Sequence, residues 1–205
     1  MFGILEIQTR GKDLNKERKE KGLPPVKTIY GCHVYVHHKN ANQKDPISFE
    51  RLTLLVENEK GYYNLLRIVS YCYEESNRWA EIPAVPLEVV KQHKEGLIAI
   101  AGDFFSRYGQ NVVSDRESQA REFMDGLDKI FDRDHLYLSV CDNGVPQQDK
   151  VNKYNVALAS EMGREVVAVA DVHYIKPEDA MAHKVLRCIA LKCLREERAY
   201  PLRPS

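Results

Sequence analysis

Cysteine is scarce and odd in number: five thiols in 205 residues, none at CxxC spacing. That pattern excludes a disulfide framework and a paired-cysteine zinc or redox motif, and it suits a reducing compartment. Cys32 and Cys141 stand in apolar runs, and Cys72, Cys188 and Cys193 on helical patterns, where small thiols are ordinarily buried. Long hydrophobic runs are missing too. The longest, Leu97–Ala101 and Val166–Ala170, fall far short of the ~20 residues of a membrane helix. Neither sign of charge prevails: 30 Lys and Arg against 30 Asp and Glu leave a formal net charge of zero. A dedicated nucleic-acid-binding module would carry a basic excess. There is no GxSxG turn, no Gly-rich phosphate loop and no dinucleotide fingerprint. No secretory leader precedes the first residues, so the expectation is a cytoplasmic protein without a membrane segment.

What is present is an ordinary globular composition, 43% hydrophobic and 29% charged, which excludes wholesale disorder and fibrous repeats. Residues 1–26 read as a helix and charged linker, with Lys12–Lys21 as a solvated helical face. Residues 27–194 then alternate between strand-like and helix-like segments, and 195–205 form a tail. Thr28–Val36, Leu52–Val56, Gly96–Gly102, Leu136–Cys141 and Glu165–Ala170 carry strand signals. Helical spacing covers Glu57–Glu75, with apolar Tyr63, Leu66, Ile68, Val69 and Tyr73. It recurs from Pro86 to about Lys94, from Gln147 to Met162 and from Pro177 to Leu194. Trp79–Pro86 reads as a loop. Ser114 and Glu117 resemble a capping box, starting a helix whose inner face is Phe123, Leu127 and Ile130. This alternation predicts an α/β fold with mainly parallel strands, and the runs LIAIA and VVAVA suit strands buried on both faces.

In such folds reactive groups stand just beyond the C-terminal ends of the strands. VVAVA runs into Asp171 and His173, which could reach one ion together as residues two apart in an extended segment. On spacing alone a D-x-H pair reads more readily as a turn cap and an ordinary histidine. Asp103 and Asn143 follow two other strands. His33 lies within a strand, with Tyr35 and His37 on the same face. The pair His37–His38 reads as solvated, and His93, His135 and His183 have no partner at ligand spacing.

The segments IYGCHVYV, LTLLVENEKGYYNLLRIVSYCY, EGLIAIAG, LYLSVCDNGVPQQDKVN and VVAVADVHYIKPEDAMAHKVLRCI, in that order, resemble the PHP (polymerase and histidinol phosphatase) domain of the bacterial DNA polymerase III alpha subunit. ENEKGYYNL and DVHYIKPEDAMAH point to the polymerase branch of that family. The resemblance implies a distorted (β/α)7 barrel whose strand ends hold up to three metal ions that activate water against a phosphate ester. It also implies departures. The first two βα units, with an H-x-H strand, have no counterpart here. Four ligand positions are altered: His33 stands for a glutamate, Arg51 for a histidine, Asp103 for a cysteine and Asn143 for a histidine. Asp171 and His173 are retained.

A fixed positive charge at Arg51 opposes a cation, and Asp103 is placed to pair with it. The expectation is therefore an incomplete PHP-type barrel with no metal cofactor and no catalytic residue, serving structure or interaction in a replicase. Its partners would be polymerase III holoenzyme components or the remainder of an alpha subunit, with DNA touched only indirectly. The alternative is a metal-dependent phosphoesterase or 3′–5′ exonuclease with zinc, manganese or iron on a reduced cluster of His33, Asp103, Asp171 and His173. A third reading is a piece of a longer, DNA-directed DNA polymerase. An incomplete barrel leaves edges, so Thr28–Val36 is expected at an edge, and the isolated chain is expected to oligomerise.

Overall fold

The computed structural model describes residues 4–37, 49–74 and 83–190. The first helix, α1 (Ile4–Glu20), fuses the opening apolar stretch with the charged run that follows it and buries no residue. Hydrogen bonds tie it to the strap behind it: Asn15 Nδ2 donates to Val26 O at 2.9 Å, Val26 N donates back to Asn15 Oδ1 at 2.7 Å, and Arg18 Nε donates to Pro24 O at 2.6 Å.

Among the described residues six strands form one sheet: β1 (Gly31–Val36), β2 (Glu50–Val56), β3 (Ala84–Val85), β4 (Leu97–Ala101), β5 (Leu136–Val140) and β6 (Glu165–Ala168), in the order β3-β1-β2-β4-β5-β6. Pairings β1–β3, β4–β5 and β5–β6 are parallel. Strand β2 runs antiparallel to both its neighbours, β1 and β4. The expected α/β character and parallel bias hold, with β2 as the reversed member. Because of that reversal its first residues, not its last, reach the rim where the other strands end.

Alternation along each strand sorts the side chains. Val34, Val36, Leu52, Leu54, Leu97, Ala99, Ala101, Leu136 and Leu138 are buried on one face. Against that core lie α2 (Glu59–Tyr73), α4 (Arg107–Val113), α5 (Glu117–Asp128) and α6 (Gln148–Met162), which contribute Leu65, Ile68, Val112, Phe123, Leu127 and Leu158. Each fully buried Leu contributes on the order of 2 kcal/mol by leaving water. The opposite face, with His33, Tyr35, Thr53, Ile98, Ile100 and Tyr137, is only half-covered or open.

Several sequence expectations change. Ala84–Val85, read as loop, pairs with β1, so β1 is interior to the sheet rather than at its edge. Pro86 caps the short helix α3 (Leu87–Gln92). The helix α4 was not expected, and Ser114 closes it instead of opening α5, whose N-cap, Arg116, makes no side-chain cap hydrogen bond. Helix α2 buries Gly61, Asn64, Leu65, Ile68 and Cys72, leaving Tyr63 and Tyr73 exposed. The polar members of that face have a physical reason. Asn58 Oδ1 accepts from Gly61 N at 3.0 Å, and Asn64 Nδ2 donates to Glu95 O at 2.8 Å. A Cβ on Gly61 would fall 1.8 Å from Gly96 O, so only glycine permits this approach to the turn before β4. Strand β6 ends the sheet and is mostly exposed, despite its continuous apolar run. A further helix, α7 (Ala180–Ala190), follows; Leu194 and Cys193 lie outside the described residues, as do His38 and Trp79. Cys32, Cys72 and Cys188 are free thiols, and burial pushes the Cys72 thiol up to about 11, as befits an inert structural thiol. Among the described residues no helix is long and apolar enough to cross a membrane.

Candidate functional site

The rim formed by the C-terminal ends of the parallel strands and the start of β2 gathers most of the residues singled out from the sequence. Leu52 and Leu54 are buried in the core, so alternation turns Arg51 and Thr53 to the open face. Register then sets Arg51 opposite Tyr35, and Thr53 opposite His33. Asp103 follows β4 through Gly102, whose φ of +87° turns the chain away from the strand. Asp171 lies three residues beyond β6 with φ of +47°, a left-handed conformation that Asp tolerates better than most residues.

The Arg51 Nη2 donates to Asp103 Oδ2 in a short contact, and the same nitrogen lies 3.5 Å from Asp171 Oδ2. The three side chains are largely enclosed, at 17%, 20% and 10% exposure respectively. The expected Arg51–Asp103 ion pair is therefore formed, and Asp171 joins it. In a flat sheet β2 and β6 would stand about 14 Å apart, three steps of about 4.8 Å. The reach of the Arg51 side chain and the return of the segment after β6 to the rim bring Arg51 and Asp171 together across that span.

Two acids share one base here, and the charges respond accordingly. Burial works against the Arg51 charge, but the Asp103 and Asp171 carboxylates hold its pKa above the ordinary guanidinium range. Burial raises the Asp103 carboxyl, with Arg51 pulling the other way. Asp103 Oδ1 also accepts from Phe105 N at 2.6 Å. Partial burial and then Arg51 hold the His33 imidazole below its usual pKa, against the pull of Asp171 and Asp103. Its Nδ1 lies 2.8 Å from Thr53 Oγ1. His173 Nε2 lies 3.4 Å from Asp171 Oδ1, so the D-x-H pair does converge.

Carboxylates and imidazoles are good ligands for a divalent ion, yet their arrangement here does not fit one. The guanidinium occupies the space between the two carboxylates and adds a fixed charge of the wrong sign. Among the described residues no three His, Cys, Asp or Glu side chains come together as a metal site. Asn143 stands in the turn after β5, where its backbone N donates to Gln148 Oε1 at 2.9 Å.

Sequence reasoning missed several participants. His183, given no role, stacks on His173 with ring centroids 5.0 Å apart and planes 18° apart. Gln148 and Asn152 line the small cavity beside Arg51, Asp103 and Asp171. Fully buried Asn155 donates through Nδ2 to Gly102 O at 2.9 Å and Ser139 O at 2.7 Å, and accepts from Tyr108 Oη at 2.7 Å, clamping the ends of β4 and β5. The visible signal for the two asparagines was their spacing of three residues, which with Gln148 sets polar side chains beside the buried Val151, Leu158 and Ala159 of the same helix.

Comparison with known proteins agrees with the motifs. The PHP domain matches residues 1–143, well over half of the chain. The chain is 30% identical over 201 residues to the DNA polymerase III subunit alpha of Treponema pallidum, covering 96% of this chain and 16% of that protein. It is 34% identical over 173 residues to the subunit alpha of Thermus aquaticus (82% of this chain, 14% of that protein), and 33% identical over 174 residues to that of Deinococcus radiodurans (82% and 13%). The chain thus spans about a sixth or less of the length of these curated relatives. With the rim geometry, the ordered motifs and this match in accord, the chain belongs to the PHP domain family.

Proposed function

We propose that this chain is a non-catalytic PHP domain related to the polymerase III alpha subunit, in which Arg51 supplies the positive charge that metal ions supply elsewhere in the family. The observation that carries this reading is the enclosed Arg51 guanidinium between Asp103 and Asp171. An internal cation neutralises carboxylates that would otherwise repel one another at the strand ends, and so preserves the rim without the chemistry. The mainly parallel six-stranded sheet, with its strand ends gathered at one rim, supports a PHP-type (β/α) barrel scaffold for this chain. Its role is then structural support or interaction, in the cytoplasm, with other replicase components or the remainder of an alpha-type chain, and with DNA only indirectly.

The second reading, a phosphoesterase or exonuclease on a reduced cluster, draws on the convergence of Asp171 with His173. Metal analysis of the purified chain separates the two. The expected result is substoichiometric zinc, manganese and iron, with no hydrolysis of a nitrophenyl phosphate ester or of a single-stranded oligonucleotide above the level of an Asp171→Ala variant. Arg51→His, which replaces the fixed cation by a ligand, should bind manganese and melt higher in its presence. Stoichiometric metal in the unaltered chain, with hydrolysis abolished by Asp171→Ala, overturns the proposal.

A further inference from the structure

Beside the ion pair lies a cavity of about 30 Å³, lined among others by Arg51, Asp103, Asp171, Ser139, Gln148 and Asn152. One water needs at least ~10–15 Å³ of such space. Gln148 is 3% exposed, and its Nε2 has no hydrogen-bond partner among the described residues; the same holds for Arg51 Nε. The amide orientation is fixed from its other end, because Oε1 accepts from Asn143 N at 2.9 Å. Gln148 and Arg51 both line the cavity, so the nitrogens they leave without a protein partner are the donors that a small molecule held there can satisfy.

The charge pattern selects the occupant. Two buried N–H donors disfavour a cation, and two carboxylates disfavour an anion. A neutral molecule that both accepts and donates satisfies all of them. We propose that the cavity is a binding site for one water molecule, which accepts from Gln148 Nε2 and Arg51 Nε and donates to the lining carboxylates. This inference rests on the reading of Arg51 as the resident cation and deepens it. A water whose two lone pairs are both engaged by N–H donors has none left to attack a phosphate ester, so the molecule acts as a cross-link between α6 and the rim. It also explains why a buried glutamine, not an aliphatic residue, stands in the first turn of α6.

The test is a high-resolution crystal structure of the full chain, grown with and without manganese, with anomalous data. Expected is a single peak about 2.7–3.2 Å from both Gln148 Nε2 and Arg51 Nε, without anomalous signal and unchanged by manganese. In Gln148→Leu crystals that peak should vanish. A collapsed cavity, with both nitrogens bonded to protein atoms, overturns the water site and leaves the ion-pair reading standing. An anomalous peak about 2.0–2.2 Å from a carboxylate oxygen overturns both. Should Gln148→Leu fail to fold, the unaltered chain alone decides the question.

Discussion

Replacing Arg51 by methionine keeps the volume and length of the side chain roughly intact while removing its charge. Two carboxylates, 20% and 10% exposed, then face each other without a cation. At the 3.5 Å between Arg51 Nη2 and Asp171 Oδ2, an effective dielectric near 20 gives a Coulomb term of about 4–5 kcal/mol. Part of this is recovered by relaxation and by water reaching a rim that is not sealed. Removing one partner of an enclosed ion pair costs about 3–5 kcal/mol, and the lower end, about 3 kcal/mol, is the expected loss. For a chain of this size each kcal/mol shifts Tm by about 2–4 °C, so Arg51→Met should melt roughly 6–12 °C lower near neutral pH.

The pH dependence of that loss carries a sign. Without the guanidinium the Asp103 carboxyl, which burial already raises, loses the charge that pulled it down and rises further above the unfolded value of about 3.9. A raised acid pKa gives stability that is present below the unfolded pKa and disappears as pH climbs through the folded one. The gap between Arg51→Met and the parent should therefore be small near pH 4 and widen toward about pH 7. Thermal melts followed by two spectroscopic probes at both pH values measure it, provided the probes coincide. Equal gaps at the two pH values, or a Tm within about 2 °C of the parent at neutral pH, would refute the assignment of Arg51 as the neutralising charge.

Gly61→Ala should destabilise by about 2–3 kcal/mol in urea unfolding, because the added Cβ meets the Gly96 carbonyl at 1.8 Å and neither backbone can yield freely. An unchanged midpoint would mean that α2 does not sit against the turn before β4 as described. Asn155→Leu deletes the donor to Gly102 O and Ser139 O and the acceptor for Tyr108. It should cost about 3 kcal/mol or more, whereas Tyr108→Phe, which loses a single bond, should cost about 1–2. The reverse ranking would count against the clamp. His33 is held below its ordinary pKa, so its neutral form is favoured on folding. That contribution is complete above the unfolded value of about 6.5 and is lost as pH falls through the lower folded value. His33→Gln should accordingly flatten the stability profile on the mildly acid side, an effect kept small by solvent at the ring; a steeper acid slope in the variant would contradict it.

How much of this was legible beforehand depended on whether a residue's role is local or set by distant partners. Leu97–Ala101 and Leu136–Val140 are short apolar runs between turn signals, and both became strands within a residue of the expected bounds. The pairing of Arg51 with Asp103 was readable because the family pattern already placed both at one rim, where opposite charges have little choice but to meet. Three features depended on long-range contacts and escaped. Ala84–Val85 is too short to announce a strand, and it becomes one only because β1 offers its edge. Ser114 has the chemistry of an N-cap, yet α4 forms upstream around Ser106 and Tyr108, whose backbone N donates to the buried Glu50 carboxylate at 2.8 Å, so Ser114 ends a helix instead. The run in β6 has the composition of a doubly buried strand, but burial is a property of neighbours, and β6 stands at the end of the sheet.

Arg51, Asp103 and Asp171 at the rim are best understood as a coupled set. Asp103 and Asp171 reach the rim from loops after β4 and β6, elements that pack independently of either carboxylate. Nothing in that packing requires the two acids to stay close; only a shared cation makes their proximity favourable. A metal ion meets this need by coordination and brings reactivity with it. An arginine meets it by hydrogen bonding and brings none, since a guanidinium neither lowers the pKa of a bound water nor leaves an open coordination position. Asp103 is itself a competent metal ligand, so its presence does not disable the rim. In the proposed reading the sign of the charge at position 51 does, and β2, which runs against its neighbours, carries that residue to the rim.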